Sequence, residues 1–378
     1  MGYRLLCPLP SRVSPINGDT VRLRVIVVVL CSMVVWTTKA GEHRVALKES
    51  LSGNKYMTAY VDGVKVNFTL DTGCSSLSIN QLLFEELVRK GVVQWSDLSE
   101  VGEAELANGE MHDVRHFTVK RLQLGDYVFH NVRASLGVND RADADPLLGQ
   151  TVLNRCTYYT VRDGMFAFEP KQEAEQQALY FCDMHHSDTS LAVNRQMVEK
   201  LRPYEARLSA RYMVIYGQAL EVIDEEKHAI PLYEQLLQSG AYEDADGALF
   251  RRKVNAKTNY ADQLYNAEAY EECEKILYEV LREARQTEPV FKNGLDYAYS
   301  TLCYLYWQIK EYDKAEQATL RYVEHVITPH TWEYLESHSI EPNADLARLL
   351  HHLSLWHGHQ DHPTEAERYE KMAKNAGL

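Results

Sequence analysis

The chain has 378 residues, a formal net charge of −14, and 45% apolar and 25% charged residues. Its length exceeds what one small core needs and points to two or three domains, and its ordinary composition excludes a mostly disordered, collagen-like or multi-span membrane chain. The acidic balance excludes a general nucleic-acid binder, because phosphate recognition needs a basic face. Charge divides as +4 over residues 1–40, −5 over residues 41–170 and −13 over residues 171–378. Texture changes at the same points.

Residues 25–38 read VIVVVLCSMVVWTT and follow Arg22 and Arg24. Spanning a bilayer takes about 20 apolar residues, so this run is too short, and a short apolar run after positive charges is the pattern of a secretory signal. Thr38 and Ala40 are small enough for cleavage before Gly41. Residues 1–40 are therefore expected to be a signal peptide, with a retained signal anchor as the alternative. The protein is expected to be exported, to a periplasmic or extracellular destination. The long lead-in suggests a true start near Val21. Leu30 before Cys31 is not small, which argues against lipidation. Cleavage leaves five cysteines, Cys74, Cys156, Cys182, Cys273 and Cys303, with no CxxC pair. Zinc ribbons and thioredoxin-like redox sites are unsupported, and the odd count leaves at least one thiol free or paired between chains.

Residues 41–170 read as all-β. The runs YMTAYV (56–61) and VKVNFTL (64–70) flank Asp62-Gly63. In the second, Val64, Val66, Phe68 and Leu70 alternate with Lys65, Asn67 and Thr69, the period of a half-buried strand. Asp-Gly between such runs is a strong hairpin signal. Asn108-Gly109, Gly125-Asp126 and Asp163-Gly164 repeat it. Four tight turns in about a hundred residues argue for a small barrel or sandwich. Two short helices are expected, over 81–90 and after Gly149.

The strand ending at Leu70 runs into Asp71-Thr72-Gly73, then Cys74-Ser75-Ser76 and the apolar stretch Leu77-Ser78-Ile79. Downstream lie Ala107-Asn108-Gly109 and then Pro146-Leu147-Leu148-Gly149-Gln150. The order D-T-G, hairpin, L-L-G, final strands resembles the single-lobe, retropepsin-like aspartic proteases over residues 45–170. That resemblance implies a small closed all-β barrel lobe. It assigns catalysis to Asp71, Thr72 and Gly73. It places Ser75, the flap residues Ala107, Asn108 and Gly109, and Leu147, Leu148 and Gly149 around a peptide or protein substrate. No cofactor and no metal is implied. Peptide hydrolysis at carboxyl groups needs two carboxylates sharing one proton, because like charges about 3 Å apart cannot both ionise. One lobe carries one such Asp, so the resemblance implies a homodimer with Asp71 of each chain at the two-fold axis. Gly73 permits close backbone approach. Thr72 takes the family's role of locking the two loops together, and Ser75 the position that often hydrogen-bonds the carboxylate. Cys74 stands where the family usually has a small residue, and is read as a packed side chain rather than a redox-sensitive thiol. Asp188-Thr189-Ser190 resembles the second triplet of two-lobed enzymes, but its polar context and the absence of a second L-L-G favour a helix N-cap.

Residues 171–189, opening with the polar stretch KQEAEQQ, are expected to be a linker, and residues 190–378 an all-α repeat domain. Ala229 with Gly217 and Tyr233, then Cys273, Ala315 and Ala366, are small residues at one recurring place, spaced by 44, 42 and 51. A small residue there lets a second helix pack closely on a first. The pattern resembles tetratricopeptide-type helix pairs, whose usual period is about 34, so the repeats are degenerate or carry long loops. A stacked solenoid of this kind implies a concave surface for a protein partner, or a plain spacer. The histidines at 351, 352, 357, 359 and 362 invite a metal reading, but the leucines through them favour a helix and its end. The leading expectation is an exported, dimeric aspartic endopeptidase with helical repeats that bind substrate or partners. The alternative is a non-enzymatic scaffold with an inactive, dimerising lobe.

Overall fold

The computed structural model describes residues 41–50, 53–105, 111–138, 141–242, 244, 246–286, 291–326 and 331–378. The expected signal at 1–40 and the expected flap residues Ala107, Asn108 and Gly109 lie outside the described residues. No helix among the described residues is long and apolar enough to cross a membrane.

The first part is a β region. Its strands are β1 (His43–Glu49), β2 (Lys55–Val61), β3 (Val64–Leu70), β4 (Leu77–Ile79), β5 (Gly102–Glu105), β6 (Met111–Leu124), β7 (Tyr127–Gly137), β8 (Leu147–Leu148), β9 (Cys156–Arg162) and β10 (Met165–Pro170). They form one ten-stranded sheet in the order β5-β6-β7-β4-β8-β3-β2-β1-β10-β9, and a further pairing of β6 with β2 joins its two halves. The turns follow the sequence signals. Asp62 and Gly63 adopt φ of 46° and 86°, and Asp163 and Gly164 adopt 52° and 71°, the left-handed pair that a two-residue hairpin requires. In β3 Val64, Val66 and Phe68 face the core while Lys65 and Asn67 face out. Phe68, Phe84, Phe117, Phe129, Phe166 and Phe168 fill that core, each at most 2% exposed.

Helix α1 (Gln81–Arg89) starts on an Asn80 side-chain cap to the Leu83 amide and buries Leu83, Phe84 and Leu87 on the sheet. The single-turn helix α2 (Gln150–Leu153) follows Gly149. Arg155, fully buried, donates from its two terminal nitrogens to the carbonyls of His130 and Asn131, each at 2.7 Å. Asn131, with φ 52°, interrupts the β6–β7 register between Val119–Val132 and Arg121–His130. A guanidinium is long and carries enough donors to satisfy both carbonyls of such an irregularity at once.

The rest of the chain is helical: α3 (Glu173–His185), α4 (Leu191–Leu201), α5 (Ala210–Val222), α6 (Glu226–Ser239), α7 (Ala248–Asn266), α8 (Tyr270–Ala284), α9 (Lys292–Gln308), α10 (Tyr312–Val326), α11 (Trp332–Leu335), α12 (Ala344–His359) and α13 (Pro363–Asn375). Chain neighbours from α4 to α10 pack on one another, as do α12 and α13. These helices share a second hydrophobic core that has no residue in common with the first. The small residues sit at the contacts. Ala229, Cys273 and Ala315 are fully buried. A Cβ on Gly217 would lie 2.5 Å from the buried Tyr233 ring, which is why that position carries none.

The expected linker is a correction. Residues 173–185 form α3, with Ala178, Leu179, Cys182 and Asp183 buried. Its polar opening misled because the polar groups are paired: Lys171 bonds Glu175 at 2.6 Å, and the Gln176 amide donates to the Tyr127 hydroxyl at 2.8 Å.

Candidate active site

The Asp71 loop is placed by two short strands. Thr69 and Leu70 of β3 pair in parallel with Leu147 and Leu148 of β8, the Thr69 amide donates to the Pro146 carbonyl at 2.8 Å, and the Asp71 amide donates to the Leu148 carbonyl at 3.2 Å. The D-T-G and L-L-G segments, far apart in sequence, are thus brought side by side. Leu148 is a fully buried core side chain and Leu147 is half-buried, so what these two supply at the loop is backbone pairing.

Asp71 is half-buried, and its Oδ1 accepts hydrogen bonds from the backbone amides of Gly73 at 2.9 Å and Cys74 at 3.2 Å. Two amides aimed at one oxygen orient the carboxyl group. Thr72 and Gly73 are exposed at the tip. The Thr72 carbonyl accepts from the Gln150 side chain at 2.6 Å, and the Cys74 carbonyl accepts from the Gln150 amide at 2.8 Å. Gly149 is buried in the angle between the loop strands. A Cβ there would fall 2.3 Å from the Cys74 carbonyl oxygen and 2.4 Å from that of Ser76. Below, Ser76 Oγ and Ser135 Oγ lie 2.6 Å apart, and the Leu77 amide donates to Thr151 Oγ1 at 2.8 Å.

Cys74 is half-buried with its thiol donating to the Ser76 carbonyl at 3.3 Å, and burial pushes that thiol above its ordinary range. The group is packed and protonated. All five described cysteines are free thiols. Ser75 is exposed, and its carbonyl accepts from Arg211 Nη1 of α5 at 3.2 Å. Asp188 stands elsewhere in the fold logic: its Oδ1 accepts from the Ser190 amide at 2.7 Å, just ahead of α4. In the histidine tract, His351 bonds Glu370 at 2.8 Å and His357 bonds Glu316 at 3.2 Å. No group of three or more metal-ligating side chains occurs among the described residues.

Sequence reasoning missed Gln150, which clamps the loop, and Arg211, which reaches it from a helix. The signal for Gln150 was present in its position after L-L-G. Arg211 had none, since nothing local links it to Ser75. Near them, the His116 ring is held down to about 4, first by burial and then by the neighbouring Arg133.

A family described as gag-polyprotein putative aspartyl protease matches residues 57–155. The match opens in β2 and closes at Arg155, so it contains the Asp71 loop and Gly149. Two solved structures are similar. One, described as a retropepsin-like aspartic protease from Rickettsia conorii, has 24% identity and a TM-score of 0.27, over 34% of this chain and 89% of that one. The other, BtubC (BKLC) from P. vanneervenii, has 16% identity and a TM-score of 0.32, over 53% of this chain and 78% of that one. A search of curated proteins found no match. The β region carries an aspartyl-protease family signal, and a β region followed by many helices is the architecture of the chain.

Proposed function

We propose that the β region is a retropepsin-like aspartic endopeptidase lobe, active as a homodimer in which Asp71 of each chain meets its counterpart. The observation that carries this reading is the Asp71 carboxyl, held by the Gly73 and Cys74 amides on a loop whose tip is exposed. Two such carboxyl groups would share one proton. The ionised one takes a proton from water, the water oxygen bonds the peptide carbonyl carbon, and the protonated one gives its proton to the carbonyl oxygen. Collapse of that adduct breaks the C–N bond: the carboxyl that took the water proton gives it to the leaving amine, and a hydroxyl of the adduct returns its proton to the other carboxylate. Thr72, exposed beside the axis, is suited to cross-chain hydrogen bonding. We read the N-terminal 40 residues as an export signal, the strand circuit joined by β6 and β2 as a closed barrel, and the helices as degenerate tetratricopeptide-like repeats that present substrate or bind a partner.

The test is Asp71→Asn. Asn keeps an oxygen for the two amides, so the loop and the thermal midpoint should be retained. Hydrolysis of a peptide library should fall by at least about 100-fold, the scale of a lost proton transfer. Undiminished hydrolysis by the variant would remove the carboxyl mechanism.

A further inference from the structure

The helical part docks beside the Asp71 loop, and an open cleft of about 740 Å³ lies at the seam. Ser75 and Gln150 bound it on the loop side, Arg133 and His116 from the sheet, and Arg211 from the first turn of α5. The chain carries 54 Asp and Glu against 40 Lys and Arg, yet none of the described residues lining this cleft is acidic. The carboxylate that faces these cations is Asp183, fully buried, 3.5 Å from Arg211 Nη2 and accepting from the Tyr212 hydroxyl at 2.9 and 3.0 Å. Burial works against its charge, and Arg211, Arg155 and Arg133 work for it. Arg211 is the guanidinium in contact with this buried carboxylate, and Arg133 adds a second positive charge at the cleft wall.

The backbone adds to it. Helix α5 begins at Ala210, and its N-cap Ser209 makes no side-chain cap. Ser209 and Ala210 line the cleft, so the N-terminal end of a 13-residue helix borders it. Ser209 Oγ and His116 Nδ1 are buried there with no hydrogen-bond partner among the described residues. The cleft also borders the Asp71 loop, through Ser75 and the loop-clamping Gln150. Cys74 binds Asp71 through its amide, and Ser75, the next residue, is in the cleft wall with its carbonyl on Arg211.

We propose that this cleft is a subsite for an acidic side chain of the peptide cleaved at Asp71, contacted by Arg133, Arg211 and the N-terminal end of α5. The proposal rests on the hydrolytic reading above and adds its substrate class. A carboxylate in an open, arginine-lined cleft should be preferred by about ten-fold over its amide isostere.

The experiment uses the full chain and fluorogenic peptides made in pairs that differ by one Glu or Gln, the variable residue being moved along the peptide. At one position the Glu member should have a kcat/KM about ten-fold higher, carried by KM. Inorganic phosphate should lower the rate for that Glu peptide and leave its Gln partner alone. In Arg133→Gln the Glu/Gln ratio should collapse towards one. Gln218→Glu sets a carboxylate into the cleft wall from α5 without changing side-chain size, and should lower the ratio even if the arginine variant does not fold. A wild-type chain that cleaves both members of every pair equally overturns the acidic subsite and leaves the hydrolytic reading standing. A chain that cleaves nothing defeats the hydrolytic reading. The same pairs titrated as ligands then decide the cleft, with tighter binding of a Glu member supporting it and equal binding overturning it.

Discussion

At the scale of single residues, the Asp71 carboxyl is oriented by its own loop, and the loop is shaped by what Gly149 lacks. The two atoms a Cβ would strike are both backbone oxygens of the Asp71 loop, so no side chain can swing away to relieve the clash. Gly149→Ala should therefore cost about 2 kcal/mol or more of stability and displace the loop. A lower urea midpoint together with lost hydrolysis would show this, and an alanine variant with wild-type values of both would contradict it. His116 bears on pH. Its ring titrates near 6.5 in an unfolded chain and is held down to about 4 in the fold by burial, with Arg133, His186 and Arg211 adding repulsion. A neutral ring in the fold and a protonated one outside it favour unfolding in acid. The contribution is fully present above about pH 6.5 and is lost as pH falls towards about 4, by about 2 kcal/mol after solvent screening. Urea unfolding at pH 7 and pH 4.5 should show the difference, and His116→Gln should shrink it. A paired-carboxylate enzyme prefers acid, so this ring narrows the usable range from below.

At the scale of elements, α3 is what joins the two cores. Glu175 is 1% exposed, within 2.6 Å of Lys171 and 3.4 Å of Arg207. The Tyr180 hydroxyl lies 2.9 Å from Thr118 Oγ1, and the Arg155 guanidinium stands 5.7 Å from the Tyr180 ring. A protease cuts where the chain can open locally, and α3 is held closed while these contacts persist. Limited digestion of the native chain should therefore leave 171–185 intact, with cuts there appearing only alongside global unfolding. Early release of a fragment ending in this segment would show that α3 is not docked in solution. Elsewhere the helix pairs obey close packing. Gly217 against Tyr233, and the buried Ala229, Cys273 and Ala315, leave no room for larger side chains.

At the scale of the whole molecule, the proposed enzyme is half a site per chain. Arg211 and α5 occupy the Ser75 side of the loop, so a second lobe has the exposed Thr72-Gly73 tip to approach. Two consequences can be measured together. Specific activity should fall on dilution below the dimer dissociation constant. Asp71→Asn added to a fixed amount of wild type should suppress activity, because each mixed dimer holds one ionisable carboxyl group where two are needed. Activity that stays proportional to wild-type chain at every dilution and mixing ratio would mean that each chain works alone.

What was legible in the sequence was whatever depends on near neighbours. The alternation in β3 and the positive φ demanded at Asp62-Gly63 and Asp163-Gly164 are local properties, and the strands and turns follow them. The D-T-G and L-L-G segments were recognisable as strings, and β3–β8 pairing brings them together. The tertiary structure alone decided the rest. Lys171, Glu175 and Gln176 look like a solvated linker until partners 36 and 49 residues away, Arg207 and the Tyr127 hydroxyl among them, make burial favourable. Arg211 lies 136 residues from Ser75, and Asp183 lies 28 residues before Arg211, yet Arg211 contacts both. No local pattern encodes such meetings. Hydrophobic periodicity says which face of an element turns inward, whereas the pairing of buried charges depends on which elements are finally set against one another.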